Sequence, residues 1–164
     1  MSHYPQYPVF HYGYDEFFKK CQETGVDGII IPDCPYEESK EVSDICYKYD
    51  VDLISMIAPT SKERTLEIAA QAKGFIYLVS SMGVTGMRSN IVTDIEGIVE
   101  SIKTVTDTPV AVGFGINSPA QVKHFGNIAD GVIVGSAIVN LIKEHGDRAH
   151  QPLFNYIQTL IKEL

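Results

Sequence analysis

Several features of common protein classes are scarce in this sequence of 164 residues. It has only three cysteines, with no CxxC pair and no cluster of histidines, which argues against both a disulfide framework and a metal site. Basic residues are also few, because 13 lysines and arginines stand against 21 acidic residues and leave a formal net charge of −8. This balance predicts neither a nucleic-acid-binding surface nor a basic patch for a membrane.

Long apolar runs are missing as well. No stretch approaches the roughly 20 residues that a membrane span needs. Neither GxGxxG nor GxxxxGK[ST] occurs, so a dinucleotide fingerprint and a P-loop are both disfavoured. With apolar residues at 45% of the chain, these absences favour a globular cytoplasmic protein that uses neither a membrane nor a nucleic acid as partner.

The sequence instead alternates short β-branched runs with amphipathic segments of helical period. Each run is apolar on both faces, as expected for strands of a parallel sheet that is covered on both sides. The runs are Gly28–Pro32, Asp52–Ile57, Phe75–Ser80, Pro109–Phe114 and Gly131–Val134. Helical spacing between the runs is clearest at Val42, Ile45, Cys46 and Tyr49, and at Ile95, Ile98, Val99 and Ile102.

Hydroxyl and proline residues mark the predicted helix starts. Thr60–Glu63 and Thr93–Glu96 fit a capping box, and Ser118 precedes a proline at the first helical position. A last helix is predicted over Leu153–Leu164, and no composition break divides the chain. Strand–helix–strand order predicts right-handed crossovers in a parallel α/β sheet. Two architectures fit: an open doubly wound sheet, or part of a closed barrel.

Glycine is concentrated just after the last three runs, where βα proteins bind ligands. These loops expose main-chain N–H groups, and the last of them also opens a helix whose positive dipole end favours an anion. The residues are Gly83, Gly86, Gly113, Gly115, Gly135 and Ser136. The pattern predicts a phosphate site, and the alternative is that the glycines only form tight turns.

Other candidates for chemistry are weaker. Asp33 follows the first run as a general base would, but an aspartate between prolines more often fixes a turn. Cys34 has no adjacent histidine or lysine to lower its pKa, which favours a buried thiol over a nucleophile. Tyr77 and Phe114 would point into a barrel mouth, either as core residues or as the lining of an apolar pocket.

Several strings together resemble one family. GVDGIIIPD (25–33), APT (58–60), GVTG (83–86), GFGI (113–116) and DGVIVGSAIV (130–139) occur in the order found in the tryptophan synthase alpha chain family. The resemblance covers about residues 8 to 164 and leaves residues 1–7 as a tail that does not match. It implies that residues 8–164 form a partial TIM (β/α)₈ barrel domain of about five parallel βα units.

The family is a carbon–carbon lyase of tryptophan biosynthesis. It cleaves indole-3-glycerol phosphate to indole and glyceraldehyde 3-phosphate, and it passes the indole to a PLP-dependent beta chain in a tetramer of two alpha and two beta chains. The resemblance therefore implies no metal and no cofactor in this chain. It places the ligand phosphate at the six residues of the glycine-rich loops given above, and the indole at Ile30, Pro32, Met56, Tyr77, Phe114 and Ile133.

The resemblance also assigns contacts outside this pocket. Thr85 would help to position the catalytic aspartate when the sixth loop closes. Phe10, His11 and the Asp33–Pro35 turn would face the beta chain.

The departures from the family concern catalysis. Its two catalytic carboxylates, a glutamate on the second strand and an aspartate in a PFSDPxADG-like segment, have no counterpart in this sequence. A whole barrel needs roughly 250 residues. Because the retro-aldol step needs both a base and an acid in place, we predict that the chain alone is inactive. An open piece of sheet would also expose its edges and interior, which predicts self-association, marginal stability or a longer gene product.

Two other functions remain open. One is a non-catalytic module that holds phosphate ligands or docks on the beta chain. The other is a different phosphate-binding barrel enzyme, such as an isomerase.

Overall fold

A computed structural model describes residues 8–32, 34, 36–80 and 94–164. Helices and strands alternate along the chain as the periodicity predicts. The elements in order are α1 (Pro8–Tyr12), α2 (Tyr14–Thr24), β1 (Gly28–Ile29), α3 (Tyr36–Lys48), β2 (Asp52–Leu53), β3 (Ser55–Ile57), α4 (Lys62–Gln71), β4 (Ile76–Val79), α5 (Ile95–Lys103), β5 (Val110–Gly113), α6 (Pro119–Gly126), β6 (Gly131–Val132), α7 (Ser136–His145), a 3-10 turn (Gly146–Arg148) and α8 (His150–Ile161).

All strand pairs are parallel, and all five predicted runs contain strand. β1 pairs with β2, and the second sheet has the order β3-β4-β5-β6. The run Asp52–Ile57 is divided at Ile54, so that its first half pairs with β1 and its second half with β4. Among the described residues β1 and β6 do not pair with each other. The sheet is therefore open, as expected for part of a barrel.

The helices cover one face of the sheet. Ile76, Leu78, Val110 and Val112 are fully buried there, against α5 residues such as Ile102. A second apolar cluster lies under α2 and α3 and contains Phe18, Cys21, Val42, Cys46, Val51 and Leu53. The two clusters share no buried residue, so the molecule has two cores that adjoin at the break in the sheet.

The opposite face of the sheet is only half-covered. Successive side chains of a strand alternate between faces, which places on this side Ile30, Met56, Tyr77, Ala111 and Ile133. None of the five is buried, and Ile30 is 37% exposed. The apolar interior that the sequence predicts for a partial barrel is therefore accessible in the described part of the chain.

The helix starts differ from prediction by one residue in two of three cases. Ser61, not Thr60, caps α4 by accepting from the Arg64 N–H, and Asp94, not Thr93, caps α5. Ser118 caps α6 at the predicted start, with Pro119 at the first helical position, and it also forms a capping box with Gln121. In the described ranges no helix has the length and apolarity to cross a bilayer.

One ion pair connects α5 to the amino ends of the strands. The Lys103 Nζ lies 2.6 Å from the Asp130 Oδ2, which also accepts the Val110 N–H at 2.7 Å. These two donors, Lys103 first, hold the pKa of the Asp130 carboxyl below its ordinary value near 3.8. A carboxyl with a lowered pKa stabilises the fold above that ordinary value, and the stabilisation is lost as pH falls through the folded-state pKa.

We expect Asp130→Asn to lower the free energy of unfolding at pH 7 by about 1 kcal/mol, since both side chains are partly exposed. The difference between the variant and the parent should shrink when urea unfolding is repeated near pH 2. If the difference in free energy of unfolding were the same at low pH, the charge of Asp130 would not contribute to the stability.

Candidate active site

The carboxyl ends of β4, β5 and β6 meet at one edge of the sheet. The Ser80 N–H donates to the Gly113 carbonyl at 2.8 Å, and the Ser80 Oγ donates to the Phe114 carbonyl. On the other side of β5, the Ile133 N–H donates to the Val112 carbonyl at 2.8 Å. These bonds bring together residues 80, 113–115 and 133–136, which we call the carboxyl edge. Two of the three glycine-rich loops thus start at adjacent points.

The turn after β5 is built from unusual backbone. Phe114 and Gly115 have φ values of 78° and 77°, in the left-handed region that favours glycine. A phenylalanine rarely adopts this conformation, and residues held in it are frequent at ligand sites. Its side chain is 55% exposed. Sequence reasoning did not predict this strain, although the position of Phe114 between two glycines is a signal for it.

Gly113 is glycine for a different reason. An ideal Cβ at this position would lie 2.6 Å from the Cζ of Tyr77, closer than real atoms approach. The Tyr77 ring therefore rests on the Gly113 backbone. Met56 is the lateral partner of Tyr77 in β3, so three of the predicted ligand residues are neighbours.

In the described part of the chain, no side chain caps the start of α7. Its N-cap, Gly135, offers no side chain, whereas Ser61, Asp94 and Ser118 cap the helices that start in other βα loops. No acidic residue lies in the first turn, and a Cβ at Gly135 would meet no atom within 4 Å. Ser136 is exposed beside it. Backbone N–H groups without a side-chain cap, together with the positive end of the helix dipole, suit an anion.

The remaining predicted ligand residues lie further apart from one another. Ile133 directly follows β6 at the carboxyl edge, and Ile30 and Pro32 follow β1 in the other sheet. Pro32 and Met56 also line a separate cleft between α3 and α4. Gly83, Thr85, Gly86, Asp33 and Pro35 lie outside the described residues, so their predicted roles stay predictions.

The described residues provide little catalytic chemistry. Burial, with the nearby Glu38, raises the pKa of the Cys34 thiol, and burial raises the pKa of Cys46 to about 12. Both thiols stay protonated at neutral pH and are poor nucleophiles, as expected for Cys34. No group of metal-ligating side chains occurs within the described ranges. Phe10 and His11 lie on α1, where Phe10 is 61% exposed.

Comparison with known sequences gives one consistent family. The family model of the tryptophan synthase alpha chain matches residues 2–163. The alpha chain of Lactiplantibacillus plantarum is 51% identical over 138 residues, which are 84% of this chain and 52% of the relative. That of Lacticaseibacillus casei is 48% identical over 141 residues, or 86% and 53% of the two chains. This chain spans about half the length of the curated relatives it matches.

Solved structures agree. The tryptophan synthase alpha subunit from Campylobacter jejuni superposes with a TM-score of 0.71 at 38% identity, over 82% of this chain and 55% of that one. A chain from the a2b2 complex of Pyrococcus furiosus tryptophan synthase superposes with a TM-score of 0.82 at 33% identity, over 96% of this chain and 64% of that one. The neighbours are TIM barrels, which identifies the open sheet as part of a barrel and not as a doubly wound sheet.

Proposed function

The chain belongs to the tryptophan synthase alpha chain family, and on that basis we propose that it binds the phosphate of indole-3-glycerol phosphate at its carboxyl edge. The observation that carries this proposal is the uncapped start of α7 at Gly135, next to the turn at Gly113–Gly115. Main-chain N–H groups from both loops would hold the phosphate dianion. Gly83 and Gly86 would complete the site from the loop after β4.

The apolar part of the ligand would lie on the half-covered face of the sheet. Tyr77, held against Gly113, and its neighbour Met56 offer a flat apolar surface beside the carboxyl edge. Ile133 and the exposed ring of Phe114 would enclose the indole from the far side, with Ile30 and Pro32 at the open end. The family resemblance adds Thr85 to this pocket, and Thr85 lies outside the described residues. This arrangement separates the charged and the apolar ends of the ligand.

We also propose that the 164-residue chain binds the ligand without cleaving it. The family reaction is a carbon–carbon bond cleavage in which a base takes the indole nitrogen proton and an acid protonates the ring carbon. The chain has no PFSDPxADG-like segment to supply the carboxylates. PLP belongs to the beta chain of this enzyme, so no cofactor replaces them.

We expect no indole above background when the purified chain is incubated with indole-3-glycerol phosphate. The control is a polypeptide that carries the PFSDPxADG-like segment, added in equimolar amount to the same assay. Indole release by the chain alone would contradict the proposed loss of activity. Absence of glycerol 3-phosphate binding in a calorimetric titration would contradict the phosphate site instead.

A role as a docking module is the second candidate, because α1 presents apolar side chains to solvent. Phe10 and Tyr12 are both more than half exposed, and the family resemblance places Phe10 and His11 against the beta chain. The Pyrococcus furiosus structure is described as the basis of mutual activation in an a2b2 complex. Stimulation of a purified beta chain by this chain, lost in Phe10→Ser, would support docking, and equal stimulation by the variant would contradict it.

A further inference from the structure

A cleft of about 560 Å³ lies between α3 and α4, outside the carboxyl edge. It lies on the helical side, where the sheet is divided at Ile54 and the two apolar cores adjoin. Its volume is within the range of about 300–1,000 Å³ that is typical of small-molecule sites, which favour boundaries between packed units.

Polar contacts connect the walls of the cleft. The Arg64 Nη1 lies 2.7 Å from the Glu37 Oε1, and the Gln71 Nε2 donates to the Tyr36 hydroxyl at 2.7 Å. The Lys73 Nζ sits 3.6 Å from the centre of the Tyr47 ring. These contacts hold α3 against α4 and the residues that follow it.

Two charged residues of the cleft wall take no part in these contacts. Glu37 and Lys73 are engaged in these contacts, but the side chains of Lys40 and Asp44 make no ion pair or hydrogen bond in the described part of the chain. They lie four residues apart on α3, so their Cβ atoms are roughly 6 Å from each other on one helix face. The wall thus presents one cation and one anion side by side.

The rest of the lining is largely apolar near the sheet. Ile31 follows β1, Leu53 ends β2, and Ile68 faces them from α4. A ligand that matches this lining has an anion and a cation a few ångströms apart and one apolar branch. A simple anion would be repelled by Asp44, and a simple cation by Lys40.

We propose that the cleft binds a free α-amino acid with an apolar side chain. The ligand carboxylate pairs with the Lys40 ammonium, the ligand ammonium pairs with the Asp44 carboxylate, and the side chain contacts Ile31, Leu53 and Ile68. This site is separate from the carboxyl edge, and the proposal does not rest on the phosphate site.

The test uses the 164-residue chain and L-phenylalanine as the probe, measured by isothermal titration calorimetry. Two analogues each remove one charge: 3-phenylpropionate lacks the ammonium, and phenethylamine lacks the carboxylate. We expect each analogue to bind at least roughly tenfold more weakly than L-phenylalanine, because a charge-assisted hydrogen bond is lost. Equal affinity for the three compounds, or no detectable binding of L-phenylalanine, would overturn the proposal.

Matched variants test which charged residue pairs with which charged group of the ligand. Lys40→Gln should weaken L-phenylalanine binding roughly tenfold but should not weaken phenethylamine binding, because it removes a charge that repels this cation. Asp44→Asn should likewise weaken L-phenylalanine binding roughly tenfold but should not weaken binding of the anion 3-phenylpropionate. Glu41→Gln, an exposed charge on the same helix that does not line the cleft, is the control and should change nothing. Displacement of L-phenylalanine by saturating glycerol 3-phosphate would place it at the carboxyl edge and contradict the assignment.

Discussion

Gly135→Asp is expected to weaken glycerol 3-phosphate binding by roughly 100-fold or more while the fold is kept. The new carboxylate would accept the same N–H groups at the start of α7 that the phosphate is proposed to use, and its charge would repel the dianion. Gly135 has a φ of −115° and open space around its Cβ position, so aspartate fits without strain. Since aspartate is a favoured N-cap, the free energy of unfolding should stay level or rise by about 1 kcal/mol.

Because stability should not fall, the experiment separates a loss of phosphate binding from a loss of the fold. Phosphate binding is measured by calorimetric titration and stability by urea unfolding on the same samples. Asn140→Asp adds the same charge one turn further along α7, on an exposed position, and should bind nearly as well as the parent. If Gly135→Asp and Asn140→Asp bind alike, the start of α7 is not the phosphate site.

Leu78→Ala is expected to lower the free energy of unfolding by about 3 kcal/mol. Leu78 lies in β4 between two strand partners, is fully inaccessible, and packs in the larger of the two cores. Removing its side-chain carbons leaves a cavity that the surrounding β5 and α5 residues cannot fill. A domain of this size is stable by only about 5–15 kcal/mol, so the loss is a large share of the total.

Chemical denaturation monitored by circular dichroism measures this loss. Leu164→Ala is the matched control, because the same side chain is 75% exposed there, and its effect should stay within about 0.5 kcal/mol. A similar loss in the two variants would show that the β4 interior is not packed as the structure has it.

The positions of the strands and helices could be predicted closely from the periodicity of the sequence. The strands are visible as β-branched runs because both of their faces are covered. The break at Ile54 does not follow from the periodicity, because Asp52–Ile57 is one uninterrupted run. At the break the Ile54 Cδ1 lies 3.2 and 2.9 Å from the ideal Cβ positions of Gly28 and Gly74, so its side chain packs where only glycine leaves room. Glycine at both positions is visible in the sequence, but their proximity is not.

The capping residues in the sequence predicted the helix starts only to within one residue. Thr60 and Ser61 both carry a hydroxyl, and Thr93 is followed by Asp94, so either member of each pair could cap. In the site, the adjacency of the loops at Gly113 and Gly135 follows from parallel strand order. The cleft between α3 and α4 could not be predicted, because it depends on how far apart two helices lie and not on either helix alone.

The division of the apolar core has a consequence for folding. β1 and β2 contain two residues each, and the Asp52 and Ile54 N–H groups, which donate to the Asp27 and Ile29 carbonyls, join them. The four strands beyond Ile54 share a larger core. We therefore expect two cooperative units in native-state hydrogen exchange, with amides of residues 28–54 opening at lower free energy than those of β4 and β5. During synthesis the weaker unit emerges from the ribosome before the stronger one and gains its full protection only when the stronger unit has formed.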